Sequence, residues 1–412
     1  LELFDPQLLI NDPDISPLLR ENEAEILASA LKVAFFASLH VNEGRPLEFA
    51  LAIYSGGGIF FDRANLRAPE PLTGENLKFL SAAIDSDERC FVVTPDNKDQ
   101  LHIHAISQTP YRSILAGVRL PPLIVVDGPG RVALIINDKH LLYDRGLVRK
   151  ENEDVLRKWT ADIKEIIVTH VSTPTQRGQA LRLGMKDVYT YDPRQWNLHA
   201  QVFRKHASEY ASLLVSEMLR LIAKFVKRAP HGGALLIIPN GANLQDIATD
   251  GRWFRDSHSD LQDPAFRSVA LRAHFALALE GKWVVDDLRE EFQKDPSRWA
   301  RDVINVRFSD ALRSIESACR RCAQLTQVDG ATVLRSDLDV LGFGVRLKAL
   351  NPESLPPAYK EFLTSRGQRH SSMAYTVTSV DNAIGIVISQ DGNVVAFHKP
   401  VGMPAELQEL IV

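Results

Sequence analysis

The chain has 412 residues, about two to three domains' worth at roughly 150 residues each. Of these, 45% are hydrophobic and 24% charged, the balance of a folded protein, which excludes a single long disordered chain. Lys plus Arg is 48 against 52 for Asp plus Glu, so the net charge of −4 argues against a nucleic-acid polymer or an anionic membrane as partner, while three cysteines exclude a disulfide framework and suit a reducing compartment.

The opening residues LELFDPQLLINDPDI carry acids where an export signal needs bases, and prolines interrupt the apolar stretch. Apolar runs such as Leu123–Val126 and Ala234–Ile238 are strand-sized, far short of the roughly 18–20 residues of a membrane span. The expectation is a soluble cytoplasmic protein, bacterial in style.

In chain order, the first predicted helix runs from Glu23 to His40. Ile26, Leu27, Leu31, Ala34, Phe35 and Leu39 give it an apolar face at helical spacing. Gly44-Arg45-Pro46 ends it, and a strand is expected over Leu47–Tyr54. Gly56-Gly57-Gly58 follows, but neither a Walker lysine nor a G-x-G-x-x-G spacing accompanies it, so it reads as a turn. A helix near Leu77–Ile84 and strands near Cys90–Thr94 and Leu101–Ser107 come next. His102 and His104 lie two apart on one strand face, and with no third ligand signalled they read as a solvated face. Gly128-Pro129-Gly130 joins a hairpin of Leu123–Asp127 and Arg131–Ile136. Asn152–Tyr191 reads as helix, strand (Glu165–Val171), short helix and strand (Asp187–Tyr191), closing an α+β domain over residues 1–192.

Beyond Asp192-Pro193, Leu198–Arg228 is a long amphipathic helix. His231-Gly232-Gly233 then opens Ala234-Leu235-Leu236-Ile237-Ile238, a continuous apolar run that predicts a strand covered on both faces. Residues 243–305 read as a mostly helical insertion with a small core of its own, anchored by Trp253, Phe254, Phe275, Trp283, Phe292 and Trp299. Phe308, Leu312, Ile315, Cys319 and Cys322 repeat at +4, +3, +4, +3, a helix core stripe. Both sulfurs of Cys319-Arg320-Arg321-Cys322 fall on that stripe, which favours buried thiols over a redox or zinc site.

Four segments of the second half carry the chemical information. They are Gly233–Ile238, Val328–Leu334, Gly367–Ala374 and Ile384–Gly392. Three read as buried strands; Gly367-Gln368-Arg369-His370 reads as a glycine turn opening a helix with two basic residues in its first turn. A helix N-terminus presents free N–H groups and the positive dipole end, so cations are misplaced there unless an anion joins them. Ser371 and Ser372 can donate to the same anion. Asp329 beside Gly330 offers a carboxylate where a ligand can approach the backbone. Oxygen for a divalent ion and cations for phosphates together suit a metal–nucleotide complex.

The order G-A-L-L-I-I, D-G-A, G-x-R-H-x-x-x-A and an apolar strand ending in a serine resembles the diadenylate cyclase domains (DAC, DisA N-terminal-type), across roughly Leu198–Val412. The resemblance implies a seven-stranded or similar mixed sheet flanked by helices. Two such domains would face each other, each ATP 3′-hydroxyl attacking the other's α-phosphate with Mg²⁺ or Mn²⁺ and no organic cofactor. It makes Asp329 the metal-side carboxylate, with Asp391 in the block where the family places a metal-binding glutamate. Gly330 and Ala331 would border the ribose; Gly367, Arg369, His370, Ser371, Ser372 and Ser389 would complete the nucleotide site. Two departures bear on catalysis. Ser371 replaces the last arginine of R-H-R, and Ser389-Gln390 replaces S-E. A charge-assisted hydrogen bond is worth roughly 1.5–3 kcal/mol, and phosphoryl transfer depends on positioning and charge neutralisation. Together with Phe35–His40 and Glu43–Pro46, these departures bring the chain nearer to the divergent branch called probable sensor domain DACNV.

The expected architecture is α+β or α/β. An N-terminal α+β accessory domain (1–192) precedes a DAC-like nucleotide-binding domain (193–412) whose mixed sheet is flanked by helices. The expected function is a sensor binding ATP or a cyclic dinucleotide rather than synthesising one efficiently. The alternative is an active diadenylate cyclase making c-di-AMP from two ATP, with Arg320, Arg321 or a partner's arginine replacing the missing one. That alternative implies a homo-oligomer. No effector domain is evident, so output would pass through a protein partner; a non-binding scaffold is the third class.

Overall fold

The computed structural model describes residues 4–20, 22–42, 45–54, 61–81, 89–96, 100–108, 121–136, 139–144, 147–150, 153–172, 193–229, 231–254, 261–280, 293–294, 309–348, 355, 357–363, 366–390 and 392–410. The chain divides into two compact units, Leu1–Glu153 and Asp154–Val412, each α+β.

The first unit contains α1 (Gln7–Ile10), α2 (Glu23–Ser38), a pair of two-residue strands β1 (Val41–Asn42) and β2 (Arg45–Pro46), β3 (Phe49–Ile53), β4 (Phe61–Pro71), α3 (Gly74–Ser81), β5 (Arg89–Pro95), β6 (Leu101–Gln108), β7 (Leu123–Gly128), β8 (Arg131–Ile136), β9 (Lys139–Asp144) and β10 (Leu147–Lys150). Eight of these strands form one sheet in the order β10-β9-β8-β7-β3-β5-β6-β4. β3 and β5 are parallel, and the remaining neighbours are antiparallel. Alternation along β8 sends Val132, Leu134 and Ile136 inward. They join Leu27, Leu31 and Ala34 of α2 in one core with Phe49, Leu51 and Phe91. The predicted helix, strands and hairpin of this region are all present. Gly56–Gly58 lies outside the described residues.

The second unit contains α4 (Glu153–Trp159), α5 (Ala161–Ser172), α6 (Pro193–Lys227), β11 (Gly233–Ile238), α7 (Leu244–Ile247), β12 (Ala248–Trp253), α8 (Gln262–Leu279), α9 (Ser309–Thr326), β13 (Ala331–Arg335), β14 (Val340–Leu347), α10 (Pro357–Leu363), α11 (Gln368–Ser379), β15 (Ile384–Ile388), β16 (Val394–His398) and β17 (Glu406–Leu410). Its sheet has seven strands in the order β12-β14-β13-β11-β15-β16-β17, with β11 and β13 parallel and every other pair antiparallel. β11 is buried at every position, as its unbroken apolar run requires. Ala234, Leu236 and Ile238 face one core with Met373, Ala374 and Val377 of α11. α5, α6, α8 and α9 pack together, and α9 touches β11, β13 and β14. α11 approaches β15 closely because position 385 is glycine. A Cβ there would lie 2.4 Å from the Met373 sulfur.

Three expectations are corrected. Glu165–Val171 is part of helix α5, whose buried residues Ile163, Ile167 and Val171 fall four apart. Residues 248–253 form an edge strand paired to β14, and α8 joins the helical layer with α6 and α9. The described parts of 243–305 therefore belong to the main sheet and its helical layer rather than to a separate core; Trp283, Phe292 and Trp299 lie outside the described residues. The unit boundary falls at 153/154 rather than at 192/193, because α5 packs on α6 and α8. Asp187–Tyr191 is outside the described residues. Cys319 and Cys322 are buried thiols in no disulfide, as expected, and burial pushes the Cys319 thiol well above its usual range.

α4 is tied to the far side of the sheet through Trp159. Its ring stacks on His398 at 5.1 Å, and its indole N–H donates to Glu406 Oε2 at 2.7 Å. Burial pushes the His398 imidazole down to about 4; Glu406 and Asp162 pull it up, and Lys158 pushes it down. The folded protein thus refuses a proton that the unfolded chain accepts below about pH 6.5. His398 contributes fully above that pH, and its contribution falls progressively as the pH drops toward 4. His398→Phe keeps a ring on Trp159 and removes the titrating group. Thermal or urea unfolding across pH 4–7 should show a shallower acid loss in the variant, by on the order of 3 kcal/mol at the acid end. An unchanged pH slope would contradict this.

Candidate functional site

Strand direction gathers the candidate residues at one end of the second sheet. β11 runs parallel to β13, with Leu235 opposite Thr332, so the two strands begin side by side. β11 runs antiparallel to β15, with Gly233 opposite Ile388, so β15 ends where they begin. His231-Gly232, Asp329-Gly330 and Ser389 therefore share one edge.

Two glycines make this edge compact. Gly330 has φ +109, and a Cβ would lie 2.5 Å from the Gly344 carbonyl carbon of β14. Gly232 has φ +61, and a Cβ would lie 2.4 Å from the Ile388 carbonyl oxygen. Both positions combine left-handed backbone with no space for a side chain.

The first turn of α11 reaches this edge. Gly367 is its N-cap with extended backbone and no side-chain capping bond, and no acid lies in the first turn. Arg369 folds back across the sheet end: its Nη1 donates to the His231 carbonyl at 2.6 Å and its Nη2 lies 3.4 Å from Asp329 Oδ1. The Arg369 side chain is 34% exposed, whereas that of Asp329 is 97% exposed. A cation at the wrong end of a helix is thus balanced by a carboxylate brought from another strand end.

The structure places the remaining predicted residues differently from one another. Ala331 is buried at the start of β13. Ser371 is half-buried, and Ser372 Oγ donates to the Arg369 carbonyl at 3.2 Å within its own helix. Ser389 closes the β15–β16 turn, its hydroxyl accepting from Asn393 N at 3.1 Å. Asp391 lies outside the described residues. His370, expected to hold phosphate, turns inward: it is 5% exposed, its ring lies 6.3 Å from Phe362, and its buried Nε2 has no partner among the described residues. Burial first, then Arg366 and Arg369, push its imidazole down to about 4, so it is neutral at neutral pH. The spacing already contained the signal, since positions 370, 373, 374 and 377 form the buried stripe of α11.

Sequence reasoning missed one contributor. His231 supplies the carbonyl that holds Arg369. Arg366, just before the cap, is directed elsewhere, over the Phe362 ring and 3.5 Å from Glu409. No cluster of three His, Cys, Asp or Glu suited to a metal occurs among the described residues. Asp329 fits a divalent ion as a single exposed carboxylate, the arrangement in which bound phosphates complete the ion's shell. An open cleft of about 560 Å³ lies elsewhere, beyond the carboxyl ends of β11 and β13, between Pro239, Asn240 and Ser336 and the Asp162–His170 face of α5. The Asp329–Arg369 site is an exposed edge outside that cleft.

Comparison with known proteins adds one functional description. The family model "Probable sensor domain DACNV" matches residues 16–108. That span lies in the first unit and contains Phe35–His40 and Glu43–Pro46, whereas Asp329 and Arg369 lie in the second. A solved structure from Bacillus cereus, titled as a hypothetical membrane spanning protein, is similar at 13% identity, covering 63% of this chain and 96% of its own, with a TM-score of 0.26. No curated protein matches the chain. No helix among the described residues is long and apolar enough to cross a membrane.

The geometry around His231 makes Gly232 the residue that holds the site together. Gly232→Ala should displace the His231 carbonyl, release Arg369 and destabilise the second unit by roughly 1–3 kcal/mol. Gly241→Ala is the control, since a Cβ there meets nothing within 4 Å despite a φ of +92. Equal denaturation midpoints for the two variants would show that the close approach is unimportant.

Proposed function

We propose that the chain is a nucleotide-binding sensor protein, in which Arg369, Asp329 and the first turn of α11 bind the phosphates of ATP or a cyclic dinucleotide. The observation that carries this reading is Arg369 itself. It sits at a helix N-terminus with no capping side chain, is held by the His231 carbonyl and is still partly exposed. Free N–H groups, a dipole end and a guanidinium converge on one spot, the arrangement that binds phosphate. A divalent ion, Mg²⁺ or Mn²⁺, would be held by Asp329 and by phosphate oxygens, and would neutralise charge on the phosphates. The match to a probable sensor domain supports the sensing role. The inward turn of His370 and the absence of an arginine at 371 leave fewer cations than the cyclase pattern has, which favours binding over synthesis.

Two observations favour the cyclase reading as second choice. The sensor match occupies the first unit and the candidate site the second, so the two roles can be divided within one chain. The exposure of Asp329 is also what a half-site completed by a second copy would show.

Titration calorimetry with ATP and with c-di-AMP, each with Mg²⁺, separates these readings. Binding of either that weakens about tenfold or more in Arg369→Ala supports the site. Absence of binding by both sinks it. Formation of c-di-AMP from ATP and Mg²⁺ or Mn²⁺, seen by chromatography and lost in Asp329→Asn, would replace the sensor reading by the cyclase.

A further inference from the structure

We infer that Arg369 is shared between two partners, compensating Asp329 in the free protein and a phosphate in the bound one, so that divalent cation and phosphate bind cooperatively. The inference rests on the nucleotide reading above and concerns how that site is regulated.

The two contacts of Arg369 are unequal. The bond from Nη1 to the His231 carbonyl is 2.6 Å, while Nη2 stands 3.4 Å from the Asp329 carboxylate. A well-formed charge-assisted bond is about 2.7–2.9 Å, so the ionic contact is the loose one and the neutral contact the firm one. The firm contact is also built on crowded backbone, because a Cβ on Gly232 would lie 2.4 Å from the Ile388 carbonyl oxygen. Asp329 has the opposite character, with its side chain almost wholly in solvent. The guanidinium is therefore fixed at one end and exchangeable at the other. It has five N–H donors, and these two contacts use two of them.

The consequences follow from charge. An anion approaching Arg369 alone meets the Asp329 carboxylate beside it, and must compete with it for the guanidinium. A divalent ion approaching Asp329 alone meets the cationic guanidinium. When both arrive, Asp329 turns to the metal and Arg369 to the phosphate, and both repulsions vanish. Because coupling between sites is reciprocal, metal must strengthen phosphate binding by the factor by which phosphate strengthens metal binding. An exposed ion pair is worth about 0.2–1 kcal/mol, which sets the cost of opening it at a factor of up to about five.

The distinguishing measurement is the affinity of the full-length protein for ATP in EDTA, compared between wild type and Asp329→Asn. Losing a metal-binding carboxylate would ordinarily leave metal-free affinity unchanged. Here Asp329→Asn should tighten metal-free ATP binding, about two- to fivefold, because the competitor for Arg369 is gone. The gain should shrink at high salt, where the competing charge is screened. The extra affinity that wild type gains on adding Mg²⁺ should be smaller in the variant. Equal or weaker metal-free binding by Asp329→Asn, with wild type binding ATP normally, overturns the sharing of Arg369 and leaves the nucleotide site standing. Failure of both proteins to bind ATP or c-di-AMP under any condition overturns the nucleotide reading, and this inference with it.

Discussion

The pairing of β11 is the constraint on which the second unit depends. A strand parallel to one neighbour and antiparallel to the other places two strand beginnings and one strand end at the same edge. In an all-antiparallel sheet, Asp329-Gly330 would lie at the opposite edge from His231. In an all-parallel one, Ser389 would. The mixed pairing brings three loops together, and α11 closes the group from one face. Crowding at the edge explains why glycine is required at 232 and 330, where the backbones of separate elements nearly touch.

The electrostatics follow from that crowding. Arg369 is unfavourable to the helix that carries it, yet it does not point away into solvent. Asp329 and the His231 carbonyl together offset its charge and satisfy two of its donors. His370, one residue on, shows the other solution open to a basic residue, which is to give up its charge and enter the core. Adjacent residues in one turn thus divide between surface charge and buried neutrality, according to the face of α11 on which each falls. A phosphate can draw on the first of these and not on the second.

How much of this was legible in the sequence depended on the kind of signal. β11, β13, β15 and the start of α11 were readable because apolar runs bounded by glycine are local features. α5 was misread because Ile166-Ile167-Val168 is a β-branched run of strand length, and the fourfold spacing of Ile163, Ile167 and Val171 shows only when counted across the whole segment. β12 was missed for the opposite reason. As an exposed edge strand with register shifts, Ala248–Trp253 has neither alternation nor an apolar run. The Arg369–His231 bond joins residues 138 positions apart and leaves no local trace. The unit boundary was likewise a matter of packing, because whether α5 belongs with what precedes or follows it depends on its contact with α6.

A sensor needs an element with two states that a ligand can tell apart, and the difference between them must be small enough for binding energy to overcome. Most of the second unit fails that requirement. β11 is buried throughout, Trp159 is stacked and hydrogen-bonded, and the backbones crowd together at Gly232 and Gly330. The Asp329–Arg369 contact meets it, being weak, exposed and hinged on one firm bond. A ligand there would redistribute charge at the first turn of α11 without repacking the sheet behind it. On the proposed reading, the signal offered to a partner would be electrostatic: the release of an exposed carboxylate at residue 329, or its capture by a metal ion. A partner that reads this edge would have to recognise charge rather than a change of shape.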